Sequence, residues 1–530
     1  MKPIPENISV LILEIKNLIG MPVSVNAVMA VLESMGIREI DVKEDYHLES
    51  LAVLAALIFK ELLKEEYSDE EMNPSSSEAE AYIKSNRGFN KYKDAIKFYI
   101  KGLMSVLPIF IQIACVVIFG YAIWVNVGFN DLQSTAVVLS VIWALILTGG
   151  FIQMIGRVGS YYWCSLQKVK AYIAMNRLFF KAIRFVLTIL LFINVVNFFL
   201  HLYPYIMILI YSIYTILISI LLLCLALMYP IEKRWTIIFT ITTATAIGLF
   251  LKFYTNLHIY LTHWIGISTV ILLSFLVYQW TFRDVKKNKK NEYKRFIRDG
   301  VIIYNNNLYF LYGTFLYILV FMDRFLAWSA DRGTVIPYVI YYEKDYEIGM
   351  DLSIVIFFLV AGVLEYSMFV FSKQLNIVLQ KLDFYSIAVF KKAFAYLYFR
   401  NLLSFLITSL VAFLFVYGFM HYDWGYKSAF GEGFPERSYN VLIYGSIGYF
   451  CLSWAMLNVL YMFRLNQPKN AVKIVGIAII IDFVVGAFCS RFISYEYSVL
   501  GMLAGMLFFL LGSLYYNYKI FSRIDYYAVL

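Results

Sequence analysis

Twelve apolar runs, each near 20 residues, leave this chain few ways to fold. They fall at about 102–124, 134–155, 183–202, 205–228, 235–254, 259–280, 301–327, 350–372, 394–420, 438–462, 471–490 and 497–517. A run of that length is what an α-helix needs to cross the hydrocarbon of a bilayer. Lipid offers no partner to a backbone N–H or C=O, so each run is expected to satisfy its own polar groups as a helix. Only 15% of the residues are charged, against about 25% in ordinary soluble domains. The expectation is an all-α polytopic membrane protein of twelve transmembrane helices.

Charge places the runs. Residues 1–80 hold 6 Lys/Arg against 16 Asp/Glu, so the chain's net charge of +9 comes from the membrane part. There the basic residues gather in the loops after the even-numbered runs: Arg157 to Lys181, Lys233–Arg234, Arg283 to Arg298, Lys373 to Arg400 and Arg464 to Lys473. Basic loops are retained in the cytoplasm, so both termini are expected inside. The excess of Lys and Arg is not a nucleic-acid footprint, because no basic, aromatic-interleaved soluble module accompanies it. No secretory signal opens the sequence. Residues 6–72 have the spacing of a small soluble helical module, with Ser24 as a helix cap and IREIDVKEDYH as a connector or short strand. NPSSSEAEA at 73–81 reads as a linker. The expected division is an acidic cytosolic module over 1–80, a first membrane half over 81–285 and a second over 286–530.

The second half echoes the first. AGVLEYSMFVFSKQL (361–375) aligns without gaps on GGFIQMIGRVGSYYW (149–163), which sets Glu365 on Gln153. Leu166-Gln167-Lys168 recurs at Leu379-Gln380-Lys381. Six runs per half is an even number, so the halves must share orientation as parallel pseudo-repeats about an axis along the membrane normal. A polytopic protein of two similar halves reads first as a transporter.

Little in the sequence suits an enzyme. Five scattered cysteines have no metal-site or disulfide spacing. His201, His258, His263 and His421 sit near outer loop ends, without ligand companions. No GxGxxG or Walker pattern cradles a phosphate. No cofactor, metal or catalytic group is expected. What remains are polar groups inside apolar runs, each costing roughly 2.5–3.5 kcal/mol unless it faces protein or water. Gln153, Asn305, Asn306, Asp323, Arg324 and Glu365 are candidates for a substrate path, with Asp323 and Arg324 also able to neutralise each other. Asp482, in GIAIIIDFVVGAF, is the candidate for proton or cation coupling, or for pairing with Arg491. The loop between the seventh and eighth runs carries Tyr338, Tyr341, Tyr342 and Tyr346 among carboxylates. Tyrosine faces stack on sugar rings and carboxylates accept sugar hydroxyls, so Tyr342, Glu343, Asp345 and Glu347 are candidate glycan contacts on the outer side.

The arrangement resembles a known family. Twelve runs in two halves, with GFIQMIGR ending the second run, look like the multidrug, oligosaccharidyl-lipid and polysaccharide exporter superfamily. Tyr304 to Gly313, FMDRFLAW at 321–328, the aromatic outer loop and FFLVAGVLEYSMFVF at 357–371 are most similar to the membrane subunits of Pel-type exopolysaccharide exporters. The resemblance spans about 100–525. It implies a V-shaped pair of six-helix bundles in the cell membrane, moving a glycan or lipid-linked sugar outward by alternating access. It also implies membrane lipid around the bundles, and a cytosolic glycosyltransferase with other synthase subunits as partners. The acidic module has no counterpart in it. Other readings of the same residues are a drug or cation antiporter of that superfamily, a non-transporting scaffold of a polysaccharide synthase, and an integral-membrane transferase.

Overall fold

The computed structural model describes residues 6–19, 22, 24–68, 91–283, 285, 299–330, 338–381, 387–423 and 425–527. The expected linker at 73–81, the lysine loop at 286–298 and Asp331 to Pro337 lie outside the described residues. Among those described, eleven helices are long and apolar enough to cross a membrane. The chain is a helical, multi-pass membrane protein.

Among the described residues four helices come first: α1 (Glu6–Ile19), α2 (Val25–Ser34), α3 (Glu39–Asp45) and α4 (Leu51–Ser68). They bury a small core of Ile8, Leu11, Ile15, Val28, Val31, Leu54 and Ile58. Ser24 caps α2 by accepting from the Ala27 N–H at 3.1 Å. The stretch expected as a connector or strand forms α3 instead. Asp41 accepts from the Arg38 N–H at 2.8 Å, satisfying a donor at the helix start.

Among the described residues thirteen more helices follow: α5 (Lys91–Phe119), α6 (Asp131–Cys164), α7 (Lys168–Leu200), α8 (Tyr205–Met228), α9 (Arg234–Tyr254), α10 (Ile259–Thr281), α11 (Asp299–Trp328), α12 (Lys344–Lys381), α13 (Ile387–His421), the short α14 (Tyr426–Phe430), α15 (Glu436–Arg464), α16 (Pro468–Phe492) and α17 (Val499–Ser522). A last turn, α18 (Ile524–Tyr527), packs against α2, and the Tyr526 hydroxyl hydrogen-bonds the Glu33 carboxylate. Burial and that carboxylate push the Tyr526 phenol up to about 12, so it stays a donor at any physiological pH.

The first apolar run departs from expectation. The helix α5 stops at Phe119, short of the 124 expected for the end of the run. At Gly120, with φ +60, the chain turns into a two-stranded hairpin, β1 (Tyr121–Ala122) paired antiparallel with β2 (Val125–Asn126). The hairpin's polar groups are met from the helices. Gln112 of α5 accepts from the Ile123 N–H at 2.9 Å and donates to Thr245 of α9 at 2.8 Å. Lys252 of α9 donates to the Phe119 carbonyl at 3.0 Å.

The long helices pack in two groups. In the first, α6 packs on α7 and α8, α8 on α7, α9 and α10, α9 on α10, and α5 on α9. In the second, α12 packs on α13 and α15, α15 on α13, α16 and α17, α16 on α17, and α11 on α16. Each pair of the first group thus has its counterpart in the second. The groups meet at two crossed contacts, α5 on α12 and α6 on α11. Both are made close by glycine. A Cβ on Gly102 would lie 2.6 Å from the Gly362 carbonyl, and a Cβ on Gly313 would lie 2.5 Å from the Gly149 carbonyl. No side chain fits there, so the helices approach backbone to backbone.

Candidate functional site: a buried acid cluster and braces across the seam

α11 is apolar along most of its length, so the side chains it must hide are few. Asp323 and Arg324 are both buried. They form an ion pair at 4.0 Å, and each also has a closer partner. Arg324 Nε donates to Glu347 Oε2 at 3.0 Å, and its Nη1 donates to the Val320 carbonyl at 3.2 Å. The Tyr346 hydroxyl donates to Asp323 Oδ2 at 2.6 Å. Tyr449 of α15 brings its hydroxyl to 3.5 Å from Arg324.

Glu347 is therefore not a loop residue open to a glycan. The helix α12 starts at Lys344, well before the apolar run, and turns Tyr346 and Glu347 inward while Asp345 and Glu343 stay half-buried at its start. Asp351, one turn further, is exposed yet within Coulombic reach of Arg324. By helical spacing it shares a face with Gly362 and Glu365, the face that α12 presents to α5. The cluster thus reaches the seam between the two groups.

Asp482 of α16 is 0% exposed, and neither of its oxygens has a hydrogen-bond partner among the described residues. It packs against α17, where a Cβ on Gly505 would come within 2.9 Å of the Asp482 Cβ. Asp323 is near enough to act on it electrostatically. Arg491, the partner considered from sequence, lies nine residues along the same helix, about 13 Å away. Its guanidinium is taken by the Leu326 carbonyl at 2.7 Å and the Ser329 hydroxyl at 2.8 Å. Asp323 Oδ1 and Glu347 Oε1 also lack hydrogen-bond partners among the described residues. The cluster therefore sets Asp323, Glu347 and Asp351 around Arg324, with Asp482 next to Asp323. A carboxylate without a counter-charge is not tolerated in a dry interior and is neutralised by a proton or a cation. No group of three His, Cys, Asp or Glu side chains among the described residues is arranged to hold a metal ion.

Glu365 and Gln153 occupy corresponding places. Glu365 packs beside Gly102, whose added Cβ would be 3.1 Å from the Glu365 Cβ; Gln153 packs beside Gly313, whose added Cβ would be 2.7 Å from the Gln153 Cγ. Glu365 is ion-paired with Arg234 and accepts from the Tyr229 hydroxyl at 3.0 Å, both from the opposite group. In the reciprocal sense, Arg157 of α6 donates to Asn466 at 3.3 Å and lies 3.9 Å over the Tyr309 ring. Glu232 and Asn466, at φ 58 and φ 54, give the two receiving turns the same left-handed kink. These braces close the seam at its basic end.

The opposite end is held differently. Tyr203, between α7 and α8, donates to the Ile340 carbonyl at 2.8 Å and accepts from the Ile340 N–H at 3.0 Å. Its ring stacks on Tyr338, which stacks on Tyr341, with interplanar angles of 9° and 16°. The Tyr342 N–H donates to Thr135 at 3.0 Å, and its ring lies 5.4 Å from Trp328. Burial and the carboxylates of Glu347 and Asp351 push the Tyr342 phenol up. Of the remaining candidates, Asn306 is buried and donates back to the Ile302 carbonyl at 2.8 Å, while Asn305 is exposed. His263, expected at an interface, is fully buried with Nδ1 2.8 Å from the Tyr214 hydroxyl.

Sequence reasoning missed Tyr346, Tyr449 and Asp351 in the cluster, and Tyr203, Tyr229 and Arg234 in the braces. Glu347 and Asp351 are four apart, the spacing of one helical face, and that signal could have moved them out of the loop. The chain matches no family model and no curated protein.

Proposed function

We propose that the chain is a distant member of the multidrug, oligosaccharidyl-lipid and polysaccharide exporter superfamily, a carrier that exports or flips a polysaccharide or lipid-linked sugar by alternating access. It has twelve spans in two parallel six-helix halves, 81–285 and 286–530. The basic end and the 1–80 module face the cytoplasm, where a glycosyltransferase supplies the polymer. The carrying observation is the reciprocal packing: every helix pair given for the first group recurs in the second, and the largest helix contacts between the groups are the crossed pair α5–α12 and α6–α11. Two helix groups joined along a glycine-lined seam can rock against each other, as alternating access requires. The seam has separate fastenings at its two ends, Arg234–Glu365 with Arg157–Asn466 at one and Tyr203–Ile340 at the other. Alternating access releases one set while the other holds. Proton uptake by Asp482 and Asp323 biases the choice, because it changes the charge buried between α11, α16 and α17. The tyrosine-rich, acidic mouth at the outer end favours a neutral or cationic glycan over a drug-sized cation as cargo.

Orientation has its own test. Cys164 is exposed at the basic end. It should resist an impermeant maleimide in intact cells and react once they are permeabilised, while a cysteine at the exposed Glu432 position should react in intact cells. The reverse pattern contradicts the topology. For the function, inactivating the chain in its host should remove polymer from the cell exterior while isolated membranes still polymerise sugar. Undiminished surface polymer would contradict export.

A further inference from the structure

A cavity of about 420 Å³ opens between the ends of α13 and α15, away from the basic end. That is ligand-sized. One wall is Met420, Phe434 and Tyr439; the polar groups are His421, Glu436 and Asn440. Tyr439 is 42% exposed, so much of its ring is free to be covered. The His421 ring is held parallel to Tyr417, one turn earlier on α13, at 5.4 Å and 13°. A lining that combines aromatic side chains with an imidazole, a carboxylate and an amide suits a ring with one apolar C–H face and a rim of hydroxyls. Among the described residues no Lys or Arg lines the cavity, while Glu436 does, so the lining offers a phosphate or carboxylate ligand no counter-charge.

The pocket also stands beside the seam. Ser438, next to Tyr439, donates to the Asp345 carbonyl at 2.6 Å and so ties the start of α15 to the start of α12. The loop between α13 and α15 carries α14 across to pack on α5, the helix on the other side of that contact.

We propose that this pocket is a saccharide site for one or two pyranose units of a neutral or amino sugar. The proposal rests on the export reading and gives it an outer subsite. The test uses the full chain in nanodiscs and ligand-observed NMR with four probes: a neutral hexose tetramer, a partly de-N-acetylated hexosamine tetramer, a uronic acid tetramer and glycerophosphoethanolamine. The two non-acidic tetramers should bind, and the uronate should bind at least about tenfold more weakly. Tyr439→Ala should weaken both about fivefold or more, and Glu436→Gln should weaken the hexosamine more than the hexose. Equal uronate binding, displacement of the tetramers by the lipid headgroup, absence of tetramer binding, or affinities unchanged in both variants would each overturn the site. The uronate contrast is read on the unaltered chain and stands even if a variant misfolds. Secretion that still depends on the chain while these binding results fail removes the pocket and leaves export. Secretion independent of the chain removes export, whatever the pocket binds.

Discussion

Asp482→Asn is expected to abolish transport without unfolding the protein. The carboxyl is buried and accepts no hydrogen bond from the described residues. Its neutral isostere therefore loses no partner and occupies the same space beside Gly501 and Gly505. What it loses is the ability to take up and release a proton. Membrane abundance and melting temperature should stay near those of the unaltered chain, while polymer secretion should fall at least about tenfold, equivalent to about 1.4 kcal/mol in the limiting barrier. Secretion at the unaltered level with the asparagine in place would take Asp482 out of the mechanism.

Arg324→Ala should have the largest effect on stability. Arg324 is the cation beside Asp323 and Glu347, and its Nε bond to Glu347 is buried on both sides. Removing one partner of such a pair leaves the other charge uncompensated and costs about 3–5 kcal/mol. Replacing both partners with apolar residues of similar size costs less, because neither member of the pair is left facing an emptied partner site. The alanine variant should therefore lose most of its folded yield, and Arg324→Leu combined with Glu347→Leu should recover much of it. Melting temperatures in detergent, measured on the single and double variants, decide this. If the double is as unstable as the single, the pair is not what holds α11 to α12.

How much of this was legible in the sequence depends on what each residue sits among. Asp323, Arg324 and Asp482 stand out because their neighbours are apolar, so an ionisable group there demands an explanation. Their partners were hidden by the opposite circumstance. Glu347 and Asp351 lie in EKDYEIGMD, where charge density looks like a loop, and hydropathy cannot register a helix that begins before its apolar part. The hairpin at 121–126 was hidden because YAIWVN is as apolar as the helix before it. Only Gly120 marks the turn, and what holds the turn is Gln112 and Lys252 from distant elements. The Glu365–Gln153 correspondence could be read from a gapless echo. The Arg234 and Tyr229 partners of Glu365 could not, since they come from the other half and pairing across a seam leaves no local pattern. The fold class thus follows from periodicity and length, whereas the cluster and the braces depend on tertiary packing.

The central claim is that two halves rock about the glycine seam, and interspin distances test it most directly. One nitroxide pair, at Leu166 and Lys469, reports on the basic end; a second, at Leu257 and Glu432, reports on the opposite end. In nanodiscs taken from neutral to mildly acidic medium, each pair should give two distance populations. One end should lengthen as the other shortens, and Asp482→Asn should hold both pairs in one population. A single, pH-independent distance at each end, unaltered by Asp482→Asn, would contradict alternating access and leave a rigid scaffold.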